Sequence, residues 1–354
     1  MSVTRKNIQA ELVDDRKFQL VEKDFTVNGT PLIKVTHVGI CGTDMSWWKE
    51  GSKHKGQVIG HEYAGIIEDP GQSSFQVGDR VTGYTQNNEN EFCGICDHCL
   101  AGDFENCDNR VVKTWIGGDL SHPGAYGQYT TWFGSSLYKL PDNVSNEEGA
   151  VIEPLTVSLH AVNITNIQKD DKVLVLGGGI IGLGVAEWAR SAGAGTVAIT
   201  EVVPEKIEAI KELQCADYVL KGDADDLFEQ YREVSKGGFD VVFDCAGVAP
   251  AINGAITHAF KPHVRDVKKF TCVALAHQEM VPINYNEVVL REVQMRGSKG
   301  HLPQEFEMAL RMVAEGKVNV KKFITKKVPF MEVQAGLEEI VSGGGTIGKA
   351  VIEM

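Results

Sequence analysis

The segment that most constrains the fold runs from Val173 to Ala189, VLVLGGGIIGLGVAEWA, where five glycines interrupt an otherwise apolar stretch. A transmembrane helix needs about 18 apolar residues without such breaks. A buried strand, a tight loop and a helix fit the pattern instead. Gly177, Gly179 and Gly182 make G-x-G-x-x-G, which alone is a weak signal. Here it follows the apolar run KVLVLG and opens a helix at Ile180 and Ile181. About 20 residues further on, Glu201 closes a second apolar strand, TVAITE, which is the context of a dinucleotide site. Gly177 then serves the tight turn, Gly179 the approach of backbone amides to a pyrophosphate, and Gly182 the packing of helix on strand. The helix N-terminus adds partial positive charge. A carboxylate at Glu201 accepts hydrogen bonds from ribose hydroxyls and repels a 2′-phosphate, so NAD is expected over NADP. The alternative is a glycine turn in an α/β domain that binds no nucleotide, with Glu201 a solvated strand end.

The surrounding texture supports two domains, as 354 residues allow. Up to about Glu153 the chain shows short β-rich runs punctuated by Gly, Pro and Asp: PLIKVTHVGI, VIGHEYAGIIED, DRVTGYT and GQYTTWF. These predict a mostly antiparallel β domain. Beyond Glu153, strands alternate with helical patterns such as PEKIEAIKEL and APAINGAITHAF, predicting a doubly wound parallel sheet. Past Gly297 come two helical patterns and a closing strand, KAVIEM, too little to fold alone and assigned back to the first domain. The expected architecture is therefore α/β, with one domain over 1–154 and 298–354 and the other over 155–297.

The formal net charge of −13 repels nucleic acid and anionic membrane surfaces, so neither is expected as a partner. The opening MSVTRKNIQAELVDD has no apolar core of a secretory signal, and a cytoplasmic protein is expected.

Four of the eight cysteines crowd together. Cys93, Cys96, Cys99 and Cys107 form C-x2-C-x2-C-x7-C, spacing too tight for unstrained disulfides. Four thiolates close a tetrahedral shell around zinc at about 2.3 Å and leave no open position, so this site is expected to be structural. Gly94 and Gly102 would help the backbone curl around the ion. An iron–sulfur cluster is the rival use of the same ligands. Cys215, Cys245 and Cys272 lie on apolar stretches and read as small buried hydrophobes.

A second ligand set is dispersed: Cys41 in GICGTD, His61 and Glu62 in GHE, and Glu153 in VIEP. Each alone reads as ordinary packing or a satisfied polar residue. Together they offer thiolate, imidazole and carboxylate donors, suited to zinc with a position left for substrate. Such an ion lowers the pKa of an alcohol, so hydride can leave for a nicotinamide. Thr43 is placed to pass on the alcohol proton, and Asp44 to orient the histidine.

In their order along the chain, GICGTD, GHEYAG, the four-cysteine lobe, VIEP and VLGGGIIG resemble the zinc-containing medium-chain alcohol dehydrogenase family over essentially the whole length. The resemblance implies a GroES-like catalytic domain, a Rossmann domain, a cleft between them, two zinc ions per chain and a homodimer or homotetramer. It makes Cys41 and His61 zinc ligands, Thr43 the relay hydroxyl and Glu62 a fixed or exchanging ligand. Glu153, where classical members have cysteine, looks like the polyol branch, and KLPDNVSNEEGAVIEPLTVSLHAV is similar to sorbitol dehydrogenases. Lys206 matches a lysine that contacts the adenosine ribose, and VALAH, with Val273, Leu275 and His277, falls beside the nicotinamide. Two positions depart from the branch. Ser46 replaces a relay histidine, and Gly300 and His301 replace an Arg-Tyr pair.

A polyol or sugar-like substrate is therefore expected, phosphorylated or acidic if the lysines of WWKEGSKHKG bind an anion. Trp47, Trp48 and Trp115 are expected to line its cleft, with core packing the plainer reading of Trp115. For Lys49, Lys53, His54 and Lys55 the plainer reading is a solvated loop. Threonine or 2,3-butanediol dehydrogenase is the nearest rival activity. A nucleotide-binding relative without catalysis is the reading from another class, and a complete metal set opposes it.

Overall fold

The structure is a computed structural model that describes residues 2–85, 93, 95–101, 107–109, 115–261, 268–276, 280–343 and 345–354. Gly94, Gly102 and His277 lie outside the described residues. The chain divides into two compact units, Met1–Glu153 with Leu302–Met354, and Pro154–His301.

The first unit opens with a long antiparallel hairpin, β1 (Ser2–Asp14) and β2 (Lys17–Asn28). Arg16 takes a left-handed φ of 56° at its tip. There follow β3 (Leu32–Gly39), helix α1 (Gly42–Lys49), β4 (Glu62–Asp69) and β5 (Arg80–Gly83). The one-turn helix α2 (Asp97–Leu100) precedes β6 (Tyr129–Thr131), β7 (Leu137–Lys139) and α3 (Asn146–Gly149). Next comes α4 (Ile152–Thr165), inside which the boundary between the units falls.

The second unit alternates strand and helix as its sequence predicts. Its elements are β8 (Lys172–Leu176), α5 (Ile180–Ser191), β9 (Thr196–Glu201), α6 (Pro204–Leu213), β10 (Tyr218–Lys221) and α7 (Leu227–Ser235). They continue with β11 (Val241–Asp244), α8 (Ala249–His258), β12 (Lys268–Cys272), α9 (Tyr285–Leu290) and β13 (Val293–Gly297). All six strands run parallel in the order β10-β9-β8-β11-β12-β13, the doubly wound arrangement of dinucleotide folds. The order in which strands are added reverses between β8 and β11, and the glycine loop lies at the carboxyl end of β8 there.

The tail returns to the first unit with α10 (Pro303–Ala314), β14 (Ile324–Pro329), α11 (Val333–Ser342) and β15 (Lys349–Glu353). Strand β15 pairs with both β14 and β3 in a sheet ordered β14-β15-β3-β4-β5-β7. The core of this unit packs Leu12, Val38, Trp48, Tyr63, Tyr126 and Leu337 at or near zero exposure. The other core gathers Leu174, Val242, Phe239, Phe270 and Ile256 against the parallel sheet. Among the described residues no helix is long and apolar enough to cross a membrane.

Candidate active site

The metal set is assembled at the adjoining ends of two neighbouring strands, β3 and β4. Gly39 ends β3 directly opposite Glu62, the first residue of β4. A Cβ on Gly39 would lie 2.3 Å from Glu62 Oε2, so only glycine lets the carboxylate lie across the strand. Cys41 caps the N-terminus of α1, two residues beyond β3. His61 precedes β4 and follows Gly60, whose φ of 98° suits glycine and whose Cβ would collide with the Tyr126 ring at 2.3 Å. One donor atom from each of Cys41, His61 and Glu62 lies within 4.8 Å of the others.

Asp44 holds these loops in place. Its buried carboxylate accepts hydrogen bonds from Cys41 N (2.9 Å), Gly60 N (3.2 Å) and Tyr126 Oη (3.4 Å). Its Oδ1 is 3.6 Å from His61 Nδ1. Burial alone would lower the basicity of His61, but the Cys41 sulfur and the Asp44 carboxylate outweigh it and raise the pKa well above 6.5. A setting that favours positive charge at His61 suits a cation, which would replace the proton.

Strand β15 delivers Lys349, which hydrogen-bonds Glu62 Oε1 at 2.8 Å and Ile40 O at 3.1 Å. Glu62 Oε2 is also 2.7 Å from the ammonium, but among the described residues it makes no hydrogen bond of acceptable geometry. A metal would take that oxygen as its carboxylate donor while the ammonium keeps its hydrogen bond to Oε1. Glu153, in the first turn of α4, is half-buried. Burial and the neighbouring Glu62 charge push its pKa up to about 7. The close trio of donors does not include Glu153, although its charge is felt by His61 and Lys349. Thr43 is exposed in the first turn of α1, and Ser46 Oγ donates to Gly42 O at 3.1 Å.

The four-cysteine lobe also fits an ion. Cys107 Sγ and Cys99 Sγ lie 3.7 Å and 4.0 Å from Cys93 Sγ, and all four sulfurs fall within 4.8 Å of one another. Tetrahedral zinc–sulfur bonds require sulfur separations of roughly 3.8 Å, far longer than a disulfide. Hydrogen bonds from the Asn109 side chain and the Ile95 and Cys96 amides draw the Cys93 thiol down to about 6, into the thiolate form that binds metal. Of the other cysteines, Cys215 is buried while Cys245 and Cys272 are half-buried.

In the second unit Gly177 has a φ of 96°. A Cβ on Gly182 would lie 2.0 Å from Gly177 O, so α5 packs on the loop at closest approach. Gly179 caps α5 and faces open space, with Ile180 and Ile181 forming the first turn. A cavity of about 620 Å³ is lined by Gly177, Gly179, Glu201, Lys206, Phe228 and Cys245 among others. Glu201 Oε1 accepts from Val202 N (2.7 Å) and Val203 N (3.1 Å), which fixes the carboxylate at the cavity wall. Val273 N donates to Asp244 O at 2.9 Å, and Leu275 is 94% exposed.

Comparison with known proteins agrees with this geometry. Residues 28–142 match the alcohol dehydrogenase GroES-like domain, and 181–315 the zinc-binding dehydrogenase domain. A sorbitol dehydrogenase of Halalkalibacterium halodurans is 32% identical over 316 residues, covering 88% of each chain. The D-arabitol-phosphate dehydrogenase of Enterococcus avium is 30% identical over 353 residues, covering 97% of this chain and 96% of that one. The chain belongs to the zinc-containing medium-chain dehydrogenase family, with its polyol dehydrogenases. Among solved structures, a Sinorhizobium meliloti 1021 protein assigned as a zinc-binding dehydrogenase and bound to NADP superposes with a TM-score of 0.83 at 25% identity, covering 99% of this chain and all of that one.

For a member of this family, one expectation about the substrate region needs revision. Trp48 does not line a site, because it is 1% exposed in the core with Nε1 3.5 Å from Gln334 Oε1. Adjacent residues on a helix point about 100° apart, so α1 buries Trp48 and leaves Trp47 half-exposed. In the lysine loop, the plainer reading of a solvated surface fits Lys53. Lys53 pairs with Glu50 at 2.8 Å, and the Asp15 carboxylate is held low by Ser52 and by Lys53 and Lys55. Lys349, Tyr126 and Gly39 were not singled out by sequence reasoning. A lysine at the head of an otherwise apolar closing strand was the one available signal.

Proposed function

We propose that this protein oxidises a secondary alcohol of a polyol or sugar-like substrate, and reduces the corresponding ketone, with NAD as hydride carrier. The observation that carries the reading is the convergence of Cys41, His61 and Glu62 at metal-ligand spacing, with Glu153 close enough to share their field. Cys41, His61 and one of the two carboxylates would hold a catalytic zinc, and the four-cysteine lobe a second, structural one. When bound, the catalytic ion supplies Lewis acidity toward the alcohol oxygen.

The chain's own residues do the rest. Asp44 keeps His61 turned so that Nε2 is free for the ion. Thr43, exposed on α1, takes the alcohol proton and passes it to water, which removes the need for a histidine at position 46. If Glu62 is the ligand, the half-buried Glu153 accepts hydrogen bonds from neighbouring substrate hydroxyls. The amides at the α5 N-terminus, including Ile180 and Ile181, hold the pyrophosphate, Glu201 and Lys206 the ribose, and Val273 and Leu275 the nicotinamide ring. A homodimer or homotetramer acting on small molecules in the cytoplasm completes the reading.

The names of the two relatives and the fixed Glu201 carboxylate support this assignment, while the NADP-bound structure makes the coenzyme its most exposed part. Initial rates with NAD and NADP across polyols, polyol phosphates, aldonates, threonine and 2,3-butanediol test it directly. Faster turnover of threonine or butanediol than of every polyol would overturn the substrate class.

A further inference from the structure

The end of β15 and the start of β6 meet along one edge of β3. Strand β6 pairs with Leu32–Lys34, and β15 with His37–Gly39. Val35 N donates to Gln128 O at 3.0 Å and Met354 N to Thr36 O at 3.1 Å, so the two ladders stop at adjacent residues. A cavity of about 800 Å³ opens at this seam, wholly within the first unit. It shares no lining residue with the candidate metal donors or with the cavity at the glycine loop.

Its walls combine an apolar surface with polar groups that lack partners. The buried Val35 and Phe330 and the exposed Met331 supply the apolar part. Lys34 is exposed, and among the described residues its ammonium has no ion-pair partner. Gln128 accepts from Ile8 N through Oε1 at 3.3 Å, which leaves its Nε2 hydrogens for another group. His37 has Nδ1 buried and without a hydrogen bond among the described residues, while Nε2 lies 3.7 Å from Glu353 Oε1. Few buried polar atoms go unpartnered in a folded protein, and one beside a cavity marks a place for a bound group. Glu353 lines the same cavity, but its charge is offset by Lys327 at 2.9 Å. Lys6 adds a further ammonium, shared with Asp24 at 2.8 Å.

The volume falls within the range of small-molecule sites, in which an apolar lining carries a few polar groups that fix orientation. A free ammonium beside a free amide donor calls for an oxyanion, which accepts charge-assisted hydrogen bonds. The apolar walls call for a carbon body attached to it. An inorganic anion would leave Phe330 and Met331 uncovered, and a neutral molecule would leave Lys34 without a counter-charge.

We propose that this seam is a second binding site of the protein, for a small organic anion. Its carboxylate or phosphate head meets Lys34 and Gln128, and its apolar body packs on Phe330 and Met331. The proposal stands independently of the polyol reading. Isothermal titration calorimetry on the zinc-loaded full chain tests it with benzoate, phenyl phosphate, benzyl alcohol and inorganic phosphate. Wild type is compared with Lys34→Glu, Lys34→Ala and Gln128→Leu, each checked for fold by circular dichroism and Tm. At least one aromatic anion should bind about tenfold more tightly than benzyl alcohol and inorganic phosphate. Lys34→Glu should weaken that binding by about tenfold or more, and Lys34→Ala and Gln128→Leu by less. The tighter of benzoate and phenyl phosphate identifies the head that the site takes. Aromatic anions that bind no more tightly than the other probes overturn the proposal. So does equal binding to wild type and folded Lys34→Glu, because the probe then sits elsewhere. If Lys34→Glu fails to fold, Lys34→Ala decides by the same comparison.

Discussion

Lys349 and Glu62 form an ion pair sealed from water, with side-chain exposures of 3% and 0% and the ammonium 2.7–2.8 Å from both carboxylate oxygens. They stand 287 residues apart in sequence, so the last strand of the chain completes the charge balance of a loop near its beginning. A buried pair of this kind adds little net stability, but breaking it is costly because one charge is left without a partner.

Lys349→Met should therefore destabilise the zinc-loaded protein by about 3 kcal/mol, while Lys349→Met with Glu62→Gln recovers much of that loss. Urea unfolding of the single and double variants measures it. A single variant as stable as wild type would mean the pair is already compensated by other groups.

Asp44→Asn keeps the shape of the side chain and removes the charge beside His61 Nδ1. Zinc affinity or kcat/KM should drop by about 10–100-fold, the range for a carboxylate that orients a metal-binding imidazole. Competition with a chromogenic chelator reads the affinity, and an unchanged half-competition point refutes the orienting role.

Glu201→Ala should lower the preference for NAD over NADP by about tenfold, equivalent to 1.4 kcal/mol of lost discrimination against the 2′-phosphate. The ratio of kcat/KM for the two coenzymes is the measurement. A wild-type ratio already favouring NADP would reverse the coenzyme assignment.

If each of the two donor clusters holds zinc as proposed, Cys93→Ser should take the content from two ions per chain toward one and lower Tm. Elemental analysis with calorimetry checks it. Full zinc content at wild-type Tm would show that three sulfurs suffice.

The candidate metal donors and the glycine loop were legible in sequence because each sits in a short local motif. Cys41, His61 and the four lobe cysteines each sit within a few residues of their structural supports. Gly177, Gly179 and Gly182 announce themselves through the strand before and the helix after them. Lys349 was not legible, since its meaning depends on β15 lying beside β3. The choice between Trp47 and Trp48 was hidden for a related reason, because neighbours on a helix exchange inside for outside according to packing that spacing does not encode. The β1–β2 hairpin escaped as well, since its polar, half-buried residues lack clean alternation, and its partner strand is what selects the extended state.

Among its described residues, the four-cysteine lobe contains just one turn of helix, and Cys93 and Cys96 remain partly open to solvent. On the proposed reading, an ion would take the place that an apolar core fills elsewhere in the chain. Its integrity is then governed by supply and by oxidants more than by heat: sulfur lost to a disulfide or a sulfinate is a ligand lost, and the fold around it loosens. Storage under reducing conditions with free zinc should extend the working life of the protein further than cooling does.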